Sequence, residues 1–253
     1  MVYNHLKDYK NALKYHKKAL EIAKARDDVQ MKSIAYANMG GDYQSLKEYN
    51  LALDCAYEAL RLRKVRGSGL EISRSYNELA TTLLAMLSNN QLRKNMTKEE
   101  MLDSALMYSE KALPLAQKFG DKYGQTYILY SLGKIYHIKE EYAKAIRYYE
   151  HSAELAKELG GHLEIKQVGR DLANLKAKKG DYQSAFYWLN EFVDAKDSLY
   201  NEEKARELTR MDMQYQFEKE KAIESAIHQQ ELESQQAIAD ADKNRQLLII
   251  VAI

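Results

Sequence analysis

One pattern of residues returns along this chain at a fixed step, and few folds can accommodate that. Leu6-Lys7-Asp8-Tyr9, followed by Ala12 and Ala19-Leu20, comes back as Leu46-Lys47-Glu48-Tyr49, Ala52 and Ala59-Leu60. It returns as Lys139-Glu140-Glu141-Tyr142, Ala145 and Ser152-Ala153, and again as Lys179-Gly180-Asp181-Tyr182, Ala185 and Phe192-Val193. Leu102, Ala105 and Ala112-Leu113 hold the same slots in a less regular copy. The anchors Tyr9, Tyr49, Leu102, Tyr142 and Tyr182 are therefore spaced by 40, 53, 40 and 40 residues. Met39-Gly40, Leu79-Ala80, Leu132-Gly133 and Leu172-Ala173 keep the same steps, as do the turn markers Asp27, Gly67, Gly120 and Gly160. Landmarks that share one period mark supersecondary units, each unable to bury its apolar face alone, that stack on their neighbours.

The unit is helical. Ala12, Tyr15, Ala19, Ile22 and Ala23 recur at the three- and four-residue spacing of a helix with one buried stripe. A single Pro and 11 Gly in 253 residues leave long stretches without a helix breaker. The 20 Tyr, against 4 Phe and 1 Trp, fit a fold that reuses one aromatic slot. The small residues Gly40, Gly133, Ala52 and Ala145 are expected where two helix axes come close. The Tyr of each turn is expected to pack beneath the loop between the two helices of its unit.

Tyr36, Met39-Gly40, Tyr43, Tyr49, Ala52 and Ala59-Leu60, and again Leu132-Gly133, Tyr136, Tyr142, Ala145 and Tyr149, resemble the tetratricopeptide repeat over roughly residues 1–198. The step of 40 exceeds that family's usual ~34 residues, so the variety is one with longer helices. The resemblance implies an all-α, right-handed superhelical solenoid of about five helix-hairpin repeats followed by a long C-terminal helix. The first copy keeps only Val2-Tyr3 of its first helix. The third carries extra residues near 86–98, where Thr97 and Glu100 form a capping box that restarts a helix. A tolerated extension and a functional protrusion both fit that insertion.

After Gly180 no Gly or Pro occurs, and residues 199–245 become strongly charged. A single helix of ~50 residues, ~75 Å long, is predicted there. Leu208, Met211 and Tyr215, and then Ile223 and Ile227, sit at coiled-coil spacing, whereas Glu218, Ser225, Gln229 and Gln236 interrupt the seam. Capping of the array and pairing into a homodimer are both open to this helix. Residues 247–253 are wholly apolar and follow Lys243 and Arg245. From this, residues 246–253 are expected to begin a transmembrane helix, although a full span needs ~20 apolar residues. The stretch Asp194-Ala195-Lys196-Asp197-Ser198-Leu199-Tyr200-Asn201-Glu202-Glu203-Lys204, the charged helix, and Arg245-Gln246-Leu247-Leu248-Ile249-Ile250 are similar to a juncture in membrane-anchored tetratricopeptide sensor histidine kinases and regulators of Bacteroidetes-type bacteria. That resemblance implies the sensory region of a two-component signalling protein on the periplasmic side of an inner membrane, with its output domain elsewhere. The alternative is a soluble cytoplasmic adaptor without signalling output.

No enzymatic constellation stands out. The six histidines have no metal-ligand spacing, and His16 occupies a packing slot. Cys55 lies among Ala52, Ala56 and Ala59, as a small buried hydrophobe does. Gly67-Ser68-Gly69 and Gly160-Gly161 match no phosphate loop, and Asn95-Met96-Thr97 is better read as a cap than as a glycosylation site. Neither catalytic, cofactor nor metal residues are expected, and a net charge of +1 gives no basis for nucleic-acid binding. What remains is a groove for a protein or peptide. In the family the first helix of each unit lines a concave face. Its slots carried over give Asn38, Arg74, Asn77, Tyr127, Tyr130, Lys134, Arg170 and Asn174. Arg170 and Asn174 resemble part of a carboxylate clamp, against the plainer reading of a polar groove face. Tyr127, Tyr130 and Lys134 suit an aromatic and cationic anchor.

Overall fold

The computed structural model describes residues 8–251, with side chains through Gln235 apart from Glu231. Among them are nine helices and no strand: α1 Tyr9–Ala25, α2 Val29–Ser45, α3 Tyr49–Arg66, α4 Gly69–Ser88, α5 Lys98–Lys118, α6 Lys122–Ile138, α7 Tyr142–Glu158, α8 His162–Lys178 and α9 Tyr182–Val251. The expected remnant Val2-Tyr3 lies outside the described residues. From α1 to α8 each helix packs against the next, and Gly169 of α8 backs onto Trp188 and Phe192 of α9. The chain divides into two compact units, Met1–Lys196 and Asp197–Ile253.

The step of the sequence is the step of the turns. A residue with positive φ follows each of α1 to α8, at Asp27, Lys47, Gly67 and Asn90, and again at Gly120, Glu140, Gly160 and Gly180. A six-residue backbone bond closes most of these turns, such as Asp28 N to Ala23 O, Glu48 N to Tyr43 O and Glu141 N to Tyr136 O. This is the Schellman arrangement, in which the left-handed residue lets the last carbonyls find donors. At the other ends Asp8, Asp28 and Asp121 accept from the N–H three residues on, satisfying one free donor apiece. Thr97 and Glu100 make the reciprocal capping box.

The insertion is absorbed at three places. Relative to the second repeat, α4 runs three residues further, the connection 89–97 is longer, and α5 starts four residues before its Leu102 slot. The connection is tied down on α3: the Arg93 guanidinium donates to Asp54 at 3.0 Å and lies 5.2 Å from the centre of the Tyr57 ring.

The buried slots of one repeat are closed by the first helix of the next. Tyr49 is buried, and its hydroxyl accepts from Asn89 Nδ2 at 3.0 Å; Tyr142 is half-buried and accepts from Lys178 Nζ at 2.6 Å. Asn89 and Lys178 belong to the C-terminal ends of the following α4 and α8. Tyr182 begins α9 as Tyr49 and Tyr142 begin their helices, yet it is exposed. Shelter therefore comes from the neighbouring repeat rather than from the turn itself.

The two glycines of the close-approach slot differ. A Cβ on Gly133 would lie 2.4 Å from the ring of Tyr149, a fully buried side chain, so the hydrogen at 133 is what lets that ring lie flat against α6. A Cβ on Gly40 would meet Ala52 O at 3.5 Å and Cys55 Cβ at 3.6 Å, which is ordinary contact. Gly40 is thus not held by crowding. His16 does more than pack. Its Nδ1 lies 2.6 Å from Oδ2 of Asp42, a fully buried carboxylate in the slot that Thr82, Ile135 and Leu175 fill elsewhere.

The transmembrane expectation does not stand. Among the described residues no helix is long and apolar enough to cross a membrane. The backbone of α9 is helical to Val251, but the residues before the apolar run are mostly charged and polar, Lys243 and Arg245 among them, so α9 offers no apolar stretch of the ~20 residues that a span needs. The C-terminal membrane anchor, and the periplasmic location inferred from it, are withdrawn. Residues 252 and 253 of that run lie outside the described residues. Within the Asp197–Ile253 unit, Leu208, Met211, Tyr215, Ile223 and Ile227 are all exposed.

Candidate functional site

The first helices of successive repeats lie side by side within the Met1–Lys196 unit: α4 touches α6, and α6 touches α8. Of the residues expected in the groove, Arg74, Asn77, Tyr127, Tyr130, Lys134, Arg170 and Asn174 belong to these three helices, on the face opposite the Leu79, Leu132 and Leu172 stripe, and Asn38 belongs to α2.

Arg74, Asn77 and Tyr127 come together. With Ser73, Glu78, Asp121, Tyr123, Gly124 and Ile128 they line a recess of about 300 Å³ between α4 and α6. Asp121 occupies the floor of the junction with both oxygens engaged: Oδ1 caps α6 through Gly124 N at 3.0 Å, and Oδ2 accepts from Arg74 Nε at 3.1 Å. The Asn77 carbonyl Oδ1 is buried and has no hydrogen-bond donor among the described residues. Such an acceptor is costly to leave dry, by ~1–3 kcal/mol. Burial holds the Glu78 carboxyl above the ordinary glutamate range, while Arg63, 3.6 Å away, opposes the shift. Arg63 is itself buried and donates to Ser75 Oγ at 2.6 Å and Glu71 O at 3.3 Å, so the recess rests on a fixed cation.

Tyr130, Lys134 and Arg170 form the next group along. Tyr130 donates to Asp171 Oδ2 at 2.9 Å, Lys134 Nζ sits 5.8 Å from the Tyr130 ring centre, and the exposed Arg170 has its Nε 3.9 Å from Asp171 Oδ1. The Tyr127 hydroxyl donates to Glu164 of α8. Burial first, and then these carboxylates, push both phenols well above the usual tyrosine range. Arg74–Asp121, Tyr127–Glu164 and Tyr130–Asp171 thus bridge neighbouring repeats across the inner face, and these side chains set repeat-to-repeat geometry as well as line a surface. Asn38 and Asn174 are exposed and join neither group.

The carboxylates Glu78, Asp121, Glu164 and Asp171 and the exposed Tyr123 were not legible as groove residues. Glu78 and Asp171 stand one position beyond the slots of Asn77 and Arg170, and that adjacency is the signal available in the sequence. Among the described residues no group of His, Cys, Asp or Glu has a metal-binding arrangement.

A family model described as tetratricopeptide repeat matches residues 1–64, 96–158 and 125–198. No curated protein matches the chain in sequence. Solved structures do share its fold. BtubC (BKLC) from P. vanneervenii is 15% identical over 78% of this chain and 77% of its own, with a TM-score of 0.61. The apo form of RapI is 16% identical over 79% of this chain and 66% of its own, at 0.57. A Rap protein complexed with competence and sporulation factor is 15% identical over 79% of this chain and 62% of its own, at 0.56.

Proposed function

The chain belongs to the tetratricopeptide repeat family, and from that premise we propose that it is a protein-interaction scaffold that binds an extended or helical segment of a partner along the inner face of α4, α6 and α8. The observation that carries the reading is the recess between α4 and α6, where Arg74, Asn77 and Tyr127 converge around a buried acceptor without a donor. A peptide N–H paired with Asn77 Oδ1, once that side-chain amide turns into the recess, would remove the cost of the unpaired group. The exposed Tyr123 offers an aromatic surface beside it. That a Rap protein of the same fold is known in complex with competence and sporulation factor is in keeping with the reading.

The test is selection from a displayed random-peptide library on the wild-type chain. Selected peptides are then titrated against Asn77→Ala and Tyr127→Phe. Loss of at least tenfold in affinity with unchanged far-UV circular dichroism is expected. Peptides that bind both variants as tightly as wild type place binding elsewhere.

Two finer readings have narrower support. A sensory role in two-component signalling rests on the resemblance around residues 194–204. Pairing of two chains through residues 199–245 rests on the exposed Leu208, Met211, Tyr215, Ile223 and Ile227, since a long helix with no packed face gains little stability alone.

A further inference from the structure

Four residues at the start of α9 present to solvent the face that other repeats bury. Tyr182, Phe186, Leu189 and Val193 are 73, 66, 46 and 41% exposed. In the second repeat the same slots are Tyr49, Leu53, Ala56 and Leu60, at 5, 0, 3 and 6%; in the fourth, Tyr149 and Ala153 are at 1 and 0%. There the covering element is the first helix of the next repeat, α4 or α8, as the shared clusters of Tyr49 and Leu53 with Leu79 and Leu83, and of Tyr149 and Ala153 with Val168 and Leu172, record. A last repeat left open to water requires a polar outer face for solubility. This one carries instead two aromatic and two aliphatic side chains in one seam.

We propose that this seam is covered by the same seam of a second copy of the chain, in a two-fold dimer at the end of the array. Self-pairing is favoured by what the seam lacks. An isologous contact sets the same patch against itself, so a net charge on the patch would meet a like charge. None of the four seam residues is charged, and the exposed Gln183 and Asn190 beside them are neutral; charges of both signs, Lys179, Asp194, Lys196 and Asp197, stand at its rim. Their spacing, four, three and four residues, is that of a helix-to-helix seam. The exposed parts of the four side chains amount to roughly 400 Å² per copy, given ~150–250 Å² for a whole aromatic residue. That is about half of the ~800 Å² per partner in a standard interface and is the apolar centre such an interface has, with a polar rim around it. The four residues belong to the Met1–Lys196 unit, and their exposure does not depend on the peptide groove.

Light scattering after size exclusion on the full chain tests it. A dimer is expected for the wild type, and a monomer for Phe186→Glu with Leu189→Glu at unchanged helix content. Because that double variant adds charge, a milder probe accompanies it. Leu189→Cys, next to the middle of the seam, is expected to form a disulfide-linked dimer under mild oxidation, since the native Cys55 is buried and a two-fold axis through the seam brings the two copies of that position within the ~7 Å between Cα atoms that a disulfide needs. Met211→Cys serves as the comparison. A monomeric wild type overturns the proposal. So does a dimer that survives the double substitution, or one that crosslinks through Met211→Cys and not through Leu189→Cys. Groove-selected peptides bind the seam variants normally if both readings hold, so failure of one is separable from failure of the other.

Discussion

The same substitution in equivalent slots of two repeats is expected to have opposite effects. Gly40 of α2 and Gly133 of α6 both precede the turn into their second helix, and both lie inside helices, where Ala is favoured over Gly by ~1 kcal/mol. At position 40 the added methyl finds ordinary contact distances of 3.5 and 3.6 Å, so Gly40→Ala keeps that gain. At position 133 it falls 2.4 and 2.5 Å from two carbons of the Tyr149 ring. That ring cannot swing aside, because it is fully buried and packs 5.7 Å, centre to centre, from Tyr130. Overpacking of this kind costs ~1–3 kcal/mol. The propensity gain is common to both variants and cancels between them. The difference is therefore the clash alone, and Gly133→Ala should melt roughly 2–12 °C below Gly40→Ala at ~2–4 °C per kcal/mol for a chain this size. Thermal and guanidinium unfolding followed by circular dichroism measure it. In a Tyr149→Leu background the penalty at 133 should vanish, which a double-mutant cycle reads as coupling. Equal melting temperatures for the two alanine variants, or a cycle with no coupling, would refute the reasoning.

Other outcomes follow from the same coordinates. Lys47 and Glu140 sit at φ of 63° and 60°, where a Cβ is strained, so Lys47→Gly and Glu140→Gly should each stabilise by ~1 kcal/mol in urea unfolding. Cys55 is buried, and burial, with Asp54 nearby, pushes its thiol up to about 11, so it should be inert to a thiol reagent at neutral pH and react only as the second repeat unfolds. The phenols of Tyr127 and Tyr130 are held above their unfolded value of ~10; the stability they contribute is complete below that pH and is lost as pH rises through their higher folded values. Alkaline unfolding should accordingly be steeper in the wild type than in Tyr127→Phe with Tyr130→Phe.

The fold was written in the sequence because stacking imposes one period on every landmark at once. Asp27, Gly120 and Gly160 mark turns because a helix cannot end in a Schellman bond without a residue that tolerates positive φ, and Gly67 ends its helix in the simpler left-handed cap, which needs the same. What the period does not carry is the environment of a slot. Tyr182 matches Tyr49 letter for letter, yet one is exposed and the other buried, since burial depends on the repeat that follows. Asp42 looks from its slot like an error in an apolar column, and only the hairpin partner His16 explains it. Of the residues expected in the groove, Arg74, Asn77 and Tyr127 share one recess, but their partners Asp121, Glu164 and Asp171 come from the adjoining repeats, and pairing across repeats has no fixed offset to read. The apolar run after Arg245 misled because a membrane span is recognised by its length, and seven residues carry none of that information.

Hydrogen–deuterium exchange on the full chain, with and without a library-selected peptide, locates the binding face without any substitution. Added protection in α4 and α6, centred on residues 73–78 and 121–128, is the predicted result. Protection confined to α3, α5 and α7, with those two helices unchanged, would contradict an inner-face scaffold.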